Sequence, residues 1–183
     1  KTKEQDFIKR VVAVPGDTVR ITPGYVLVNG VEYNHRVLET QLSSFSSSGE
    51  DHAVRLYKDK ILVDGRLVTK PEVASALGRP NGKVKIVPGT VYLNGKALKE
   101  PYIAEDPDQP YPMSNTPMEW IVTRKDGDER VQYVKIPKDK LLVMGDNRND
   151  SNDARFWGLL DRNRLLGKAM FIFWPVTRVR LIR

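Results

Sequence analysis

Val19-Arg-Ile-Thr-Pro-Gly-Tyr-Val-Leu-Val-Asn-Gly30 recurs without a gap as Val54-Arg-Leu-Tyr-Lys-Asp-Lys-Ile-Leu-Val-Asp-Gly65 and again as Val84-Lys-Ile-Val-Pro-Gly-Thr-Val-Tyr-Leu-Asn-Gly95, at offsets of 35 and 30 residues. Each copy reads as a short strand, a turn, a second strand and a closing Asn-Gly or Asp-Gly. Those dipeptides supply the positive φ angles of a type I′ turn. Residues 19–99 are therefore expected to form three similar hairpin units, too few and too irregular for a propeller.

Outward from the repeats the pattern stays β-rich. Residues 7–14 (Phe-Ile-Lys-Arg-Val-Val-Ala-Val) read as a strand closed by Pro15-Gly16-Asp17. Further strands are expected at 119–124, 130–136, Lys140 to Met144 and 165–174, the last closed by Trp174-Pro175. Lys70 to Leu77, stopped by Gly78, is the best short-helix candidate. The serine-rich stretch 41–51 reads as a solvated loop, and 101–118, with five prolines, as an irregular connection. The fold class expected is mostly β: antiparallel sheets with hairpin insertions and little helix.

Composition narrows the chemistry. At 183 residues the chain can bury a core without staples. It has no cysteine, which excludes disulfides, a thiol nucleophile and a cysteine-ligated zinc. The two histidines, His35 and His52, have no metal-ligand spacing. No cofactor and no metal are expected. The longest apolar stretch, Ala169 to Trp174, is far short of the ~20 residues that span a membrane. A start at Lys1 without Met, and with no signal peptide, leads us to expect a piece of something longer. The net charge of +7 admits a nucleic acid, an anionic membrane surface or an acidic partner.

Two stretches carry chemistry. Lys9 lies on the same strand face as Phe7 and Val11, with Arg10 on the other. A lysine among apolar neighbours has its pKa lowered, which makes it available as a general base near neutral pH. In 145–158, Asp146, Asp150 and Asp153 stand close to Arg148 and Arg155, with Ser151 among them. A calcium loop is not matched, because its twelfth-position glutamate is replaced by Phe156 or Trp157. A loop fixed by Asp–Arg pairs is the better structural reading, with Ser151 able to orient a neighbouring group.

Residues 7–17 (Phe-Ile-Lys-Arg-Val-Val-Ala-Val-Pro-Gly-Asp) resemble the lysine box of type I signal peptidases. Residues 145–158, with Gly145-Asp146-Asn147, Ser151, Asp153, Arg155 and Trp157-Gly158, resemble the second signature box of that family. Val91-Tyr-Leu-Asn-Gly95 with Glu100-Pro-Tyr-Ile103, and Phe171 to Arg178, are similar to family segments between and after the boxes. The resemblance implies a membrane-anchored, mostly-β serine endopeptidase on the extracytoplasmic side of the cell membrane. It would remove signal peptides from preproteins with a Ser/Lys dyad. Carried over, Lys9 is the general base and Ser151 its hydrogen-bonding partner. Asp146, Asp153, Arg155 and Arg10 brace the site, and Gly145 and Asn147 form the turn of the box.

Two departures stand out. The family nucleophile sits in a Ser-Met-x-Pro-Thr box before the lysine, but none of the eight residues before Lys9 is serine. The nucleophile and the membrane anchor are therefore expected upstream of this chain, and the fragment is expected to be inactive; Pro112-Met-Ser114 is only an echo. The chain also exceeds the family pattern by 65 residues, equal to two repeat units. Residues 1–34 and 84–183 are expected to form the catalytic β core, and 35–83 a hairpin insertion lying away from Lys9. Alternative readings are a non-catalytic basic β binding module and a self-cleaving Ser/Lys peptidase. Nucleic acid is not expected as a partner, because no RNA-recognition signature appears.

Overall fold

The computed structural model describes residues 6–46, 54–126, 128–172, 177 and 180–181. Four strands open the chain: β1 (Arg10–Ala13), β2 (Thr18–Thr22), β3 (Tyr25–Val28) and β4 (Val31–Asn34). Helix α1 (His35–Leu42) follows, then β5 (Val54–Tyr57), β6 (Lys60–Val63), β7 (Arg66–Val68) and helix α2 (Lys70–Ala76). Next come β8 (Val84–Val87), β9 (Thr90–Leu93), β10 (Lys96–Ala97), β11 (Ile121–Asp126), β12 (Glu129–Lys135) and β13 (Lys140–Met144). The one-turn helix α3 (Ala154–Trp157) precedes β14 (Leu160–Asp161), β15 (Phe171–Ile172) and β16 (Arg180–Leu181). The fold is mostly antiparallel β with little helix, as the sequence led us to expect.

The turns closing the three repeats form as expected. Asn29-Gly30, Asp64-Gly65 and Asn94-Gly95 all take positive φ, between 48° and 81°. The repeats themselves diverge. Only the second copy is a hairpin: β5 pairs with β6, and β6 with β7. Its turn, Lys58-Asp59, is tight, with Lys58 at φ 57°. In the first and third copies Pro23-Gly24 and Pro88-Gly89 stand at that place. Proline's fixed negative φ excludes the primed turns, with positive φ at their first central residue, that close tight hairpins, and these strands are not folded back on one another. The two copies pair with each other instead, β2 on β9 and β3 on β8. Their kinks touch: a Cβ on Gly89 would lie 2.9 Å from the Gly24 nitrogen and 2.2 Å from the Pro107 carbonyl oxygen.

This exchange divides the strands between sheets. One five-stranded sheet runs β10-β9-β2-β12-β11, and a three-stranded sheet runs β4-β3-β8. The buried side chains form two clusters. One gathers Val12, Val19, Ile21, Val91, Val134 and Leu141–Met144. The other gathers Val26, Val28 and Val84 with Leu38, Leu42, Leu56, Ile61, Val63 and Val73. The second cluster thus draws on β3 and β8 as well as on residues 35–83.

Helix α2 forms where expected, its start fixed by a capping box between Thr69 and Glu72. Helix α1 was not anticipated. Its signal is Asn34, whose side chain accepts from the Val37 N–H, followed by buried Leu38 and Leu42 one turn apart. Two strands are shorter than expected. The first starts at Arg10, so Phe7, Ile8 and Lys9 run beyond the sheet. The closing strand is paired only at Phe171–Ile172, with Leu165 to Met170 unpaired before it; residues 173–174 fall outside the described residues.

Candidate active site

Strand register brings the two distant stretches together. Arg10 of β1 stands opposite Met144 of β13. Lys9, one residue earlier, therefore comes level with Gly145, where 145–158 begins. Its Nζ donates to the Ser151 Oγ at 2.7 Å. Gly145 makes that approach feasible, because a Cβ there would stand 2.2 Å from the Ser151 Oγ. Any larger residue at 145 has to push the hydroxyl aside.

The segment around Ser151 is held by ion pairs and by its own backbone. Asp153 caps α3 and takes the Gly145 N–H on Oδ2 at 3.0 Å. Arg155 binds the Asp153 carboxylate with Nε at 2.8 Å and Nη2 at 2.9 Å, both side chains being fully buried. Burial alone would raise the Asp153 pKa, but the Arg155 hydrogen bond and charge, with the Gly145 N–H, hold it below the ordinary value. Arg155 also donates to the Arg148 carbonyl. From the β1 side, Arg10 grips both Asp146 oxygens at 2.7 Å, and that hydrogen bond raises its pKa.

The structure brings Lys9, Arg10, Gly145, Asp146, Ser151, Asp153 and Arg155 into one contiguous arrangement. Asn147 lies in the same turn, with its Oδ1 buried. The apolar surroundings expected for Lys9 are not closed. Phe7 is 71% exposed and Val11 41%. Phe7 and Lys9 lie before the first paired residue of β1, and among the described residues no strand pairs with them.

From the sequence, Arg148 is expected to pair with the aspartates of its own segment. It lies wholly buried instead and forms a two-pronged pair with Glu100, while its Nε donates to the Gly145 carbonyl at 3.0 Å. The 104–108 segment supports the same turn from the other side. The Asp108 N–H donates to the Asn149 Oδ1, and the Asn149 Nδ2 to the Asp106 carbonyl. Asp106 in turn accepts the Lys58 N–H and donates its own to the Leu56 carbonyl. Burial pushes the Asp106 carboxyl up to about 6 and raises Glu105 and Asp108 as well. Among the described residues there is no group of acidic and histidine side chains that could hold a metal ion. Nor is any helix there long and apolar enough to cross a membrane.

Residues 1–70 and 73–174 match the family described as signal peptidase, peptidase S26. The chain is 41% identical over 106 residues to the probable signal peptidase I-2 of Synechocystis sp., covering 58% of this chain and 39% of that protein. It is 36% identical over 107 residues to signal peptidase I of Leptolyngbya laminosa, covering 58% and 43%. With signal peptidase I of Bacillus licheniformis it shares 33% over 123 residues, covering 67% and 61%. These matches span between 39% and 61% of the relatives' own length. No solved structure matches the chain.

Proposed function

Because the chain belongs to the signal peptidase family, peptidase S26, we propose that it is the catalytic part of a serine endopeptidase that removes N-terminal signal peptides from exported proteins. The observation that carries this reading is the 2.7 Å hydrogen bond between Lys9 Nζ and Ser151 Oγ, inside a turn braced by Arg10–Asp146 and Asp153–Arg155. A Ser/Lys dyad needs an amine with a fixed lone-pair direction. Ser151 supplies that direction, as the aspartate does for the histidine of a Ser-His-Asp triad.

In this reading the nucleophilic serine comes from outside residues 1–183, and Lys9 removes its proton as it attacks the scissile carbonyl. Lys9 then returns the proton to the leaving amine. The substrate lies extended beside a strand, with small residues before the cut. The open apolar surface of Phe7 and Val11 is closed over Lys9 by the bound signal peptide and the membrane surface, which exclude water from the amine. The protein works at the extracytoplasmic side of the cell membrane, and its basic residues suit anionic head groups. Residues 1–34 and 84–183 form the catalytic core, and 35–83 an insertion in it.

The test uses the full-length protein, reconstituted in vesicles with a precursor peptide carrying an Ala-x-Ala site. Cleavage after the second alanine, lost in Lys9→Ala, supports the reading. Cleavage that persists at the wild-type rate in Lys9→Ala overturns it.

A further inference from the structure

Outside the residues that face Lys9, a second chain segment ties both halves of the site together. Tyr102 lays its ring against the Arg10 guanidinium, 3.7 Å from ring centroid to Cζ. Its hydroxyl donates to the Glu100 Oε1 at 3.1 Å. Burial, and then the Glu100 charge, raise the pKa of that hydroxyl, so it stays a neutral donor at neutral pH. Glu100 spends its two oxygens on Arg148, whose Nε holds the Gly145 carbonyl and whose own carbonyl takes Arg155. Two routes thus start from residues 100–102. One runs through Arg10 to the segment that carries Lys9 just before β1, and the other through Arg148 to the turn carrying Ser151.

Geometry makes this arrangement more than general support. Arg10 adjoins Lys9, and its guanidinium is fixed on one side by the Asp146 carboxylate and on its face by the Tyr102 ring. A planar cation held in both ways has little freedom to swing. Arg148 is wholly buried, and a guanidinium there needs a carboxylate that matches both prongs. Without Glu100, Arg148 loses the carboxylate that fixes its hold on the Gly145 carbonyl, and the residue against which the Ser151 hydroxyl is packed keeps only the Asp153 bond to its N–H.

We propose that Glu100 and Tyr102 are positioning residues that set the Lys9–Ser151 distance, acting through Arg148 and Arg10. This rests on the peptidase reading above and adds to it two side chains that touch neither Lys9 nor Ser151. The test compares Tyr102→Phe, Tyr102→Leu and Glu100→Gln with the wild type in the full-length protein. Steady-state cleavage, the thermal midpoint and the 13Cε resonance of Lys9 in selectively labelled protein are measured.

The expected result is a kcat lowered by about 10- to 100-fold in Tyr102→Leu and Glu100→Gln at temperatures where they stay folded, with KM changed by less than about twofold. Tyr102→Phe, which keeps the ring over Arg10, restores most of the Tyr102→Leu loss. The Lys9 resonance moves in the same order. Folded variants with wild-type kcat and an unmoved Lys9 resonance overturn the proposal, whatever their thermal midpoints. Should Glu100→Gln fail to fold, the two Tyr102 variants decide alone. A wild type that cleaves no precursor peptide removes the peptidase reading, and the Lys9 resonance still tests the positioning.

Discussion

Lys9 and Ser151 are 142 positions apart in the chain and 2.7 Å apart in the fold. Their types and neighbours were legible, because Phe7-Ile-Lys9-Arg10 and Gly145-Asp146-Asn147 to Trp157-Gly158 are specific patterns. Their juxtaposition was not, since it depends on the register that sets Arg10 against Met144. Lys9→Arg is expected to be as inactive as Lys9→Ala in cleavage assays, because a guanidinium stays charged and cannot accept the serine proton. Ser151→Ala is expected to lower kcat strongly while circular dichroism and the thermal midpoint stay near wild type. Gly145→Ala is expected to do the same by displacement, since its Cβ would stand 2.2 Å from the Ser151 hydroxyl. A Gly145→Ala protein with full activity would show that the hydroxyl need not sit where it is found.

Among the elements, the three repeats show how far a local pattern reaches. Asn-Gly and Asp-Gly dictate backbone angles within two residues, and all three turns obey. Which strand accepts which partner is decided at the other turn of each copy, Pro23-Gly24 and Pro88-Gly89 against Lys58-Asp59. That difference is visible in the sequence, but its outcome depends on contacts between residues distant in the chain, between Gly24 and Gly89 and between Gly89 and Pro107. Gly89→Ala is therefore expected to destabilise the protein by about 1–3 kcal/mol in denaturant unfolding, from overpacking against backbone that cannot retreat. Stability equal to wild type would mean that the crossing opens freely. Helix α1 is faint in the sequence because 35–42 shows only two buried apolar positions at helical spacing, Leu38 and Leu42, beside a serine-rich run.

For the whole molecule, buried carboxyls set the response to acid. Asp106, held up at about 6, binds a proton more readily folded than unfolded, so between about pH 6 and pH 4 its contribution to stability grows as pH falls. Glu105 and Asp108, also raised, act in the same direction. Asp153 is depressed and acts oppositely: its contribution is full above the unfolded value near about 4 and is lost as pH drops further. The thermal midpoint is expected to be higher at pH 5 than at pH 7.5 and to fall steeply below pH 4. Asp106→Asn, which keeps an acceptor for the Lys58 N–H, is expected to raise the midpoint at pH 7.5 and to flatten the rise toward pH 5. A midpoint that climbs steadily from pH 5 to pH 7.5 would contradict this.

The exchange of strands between the first and third repeats also sets a timetable for folding. Strands β5, β6 and β7 meet across turns of two residues, whereas β2 must find β9, with Val19 opposite Leu93, and β3 must find β8, with Val28 opposite Val84. Closing long loops costs chain entropy before any pairing repays it, so local ladders form ahead of distant ones. In pulse-labelled hydrogen exchange during refolding, amides of 54–68 should gain protection before those of 19–22 and 84–87, whose partners are all distant. Until the distant pairs close, Val26 and Val28 have only the short β3–β4 ladder beside them and β8 with Val84 is not yet laid against it, so their share of the core stays open. A nascent chain whose third repeat is still unmade would therefore carry an unfinished, adhesive first half, the period in which a chaperone would have the most to shield.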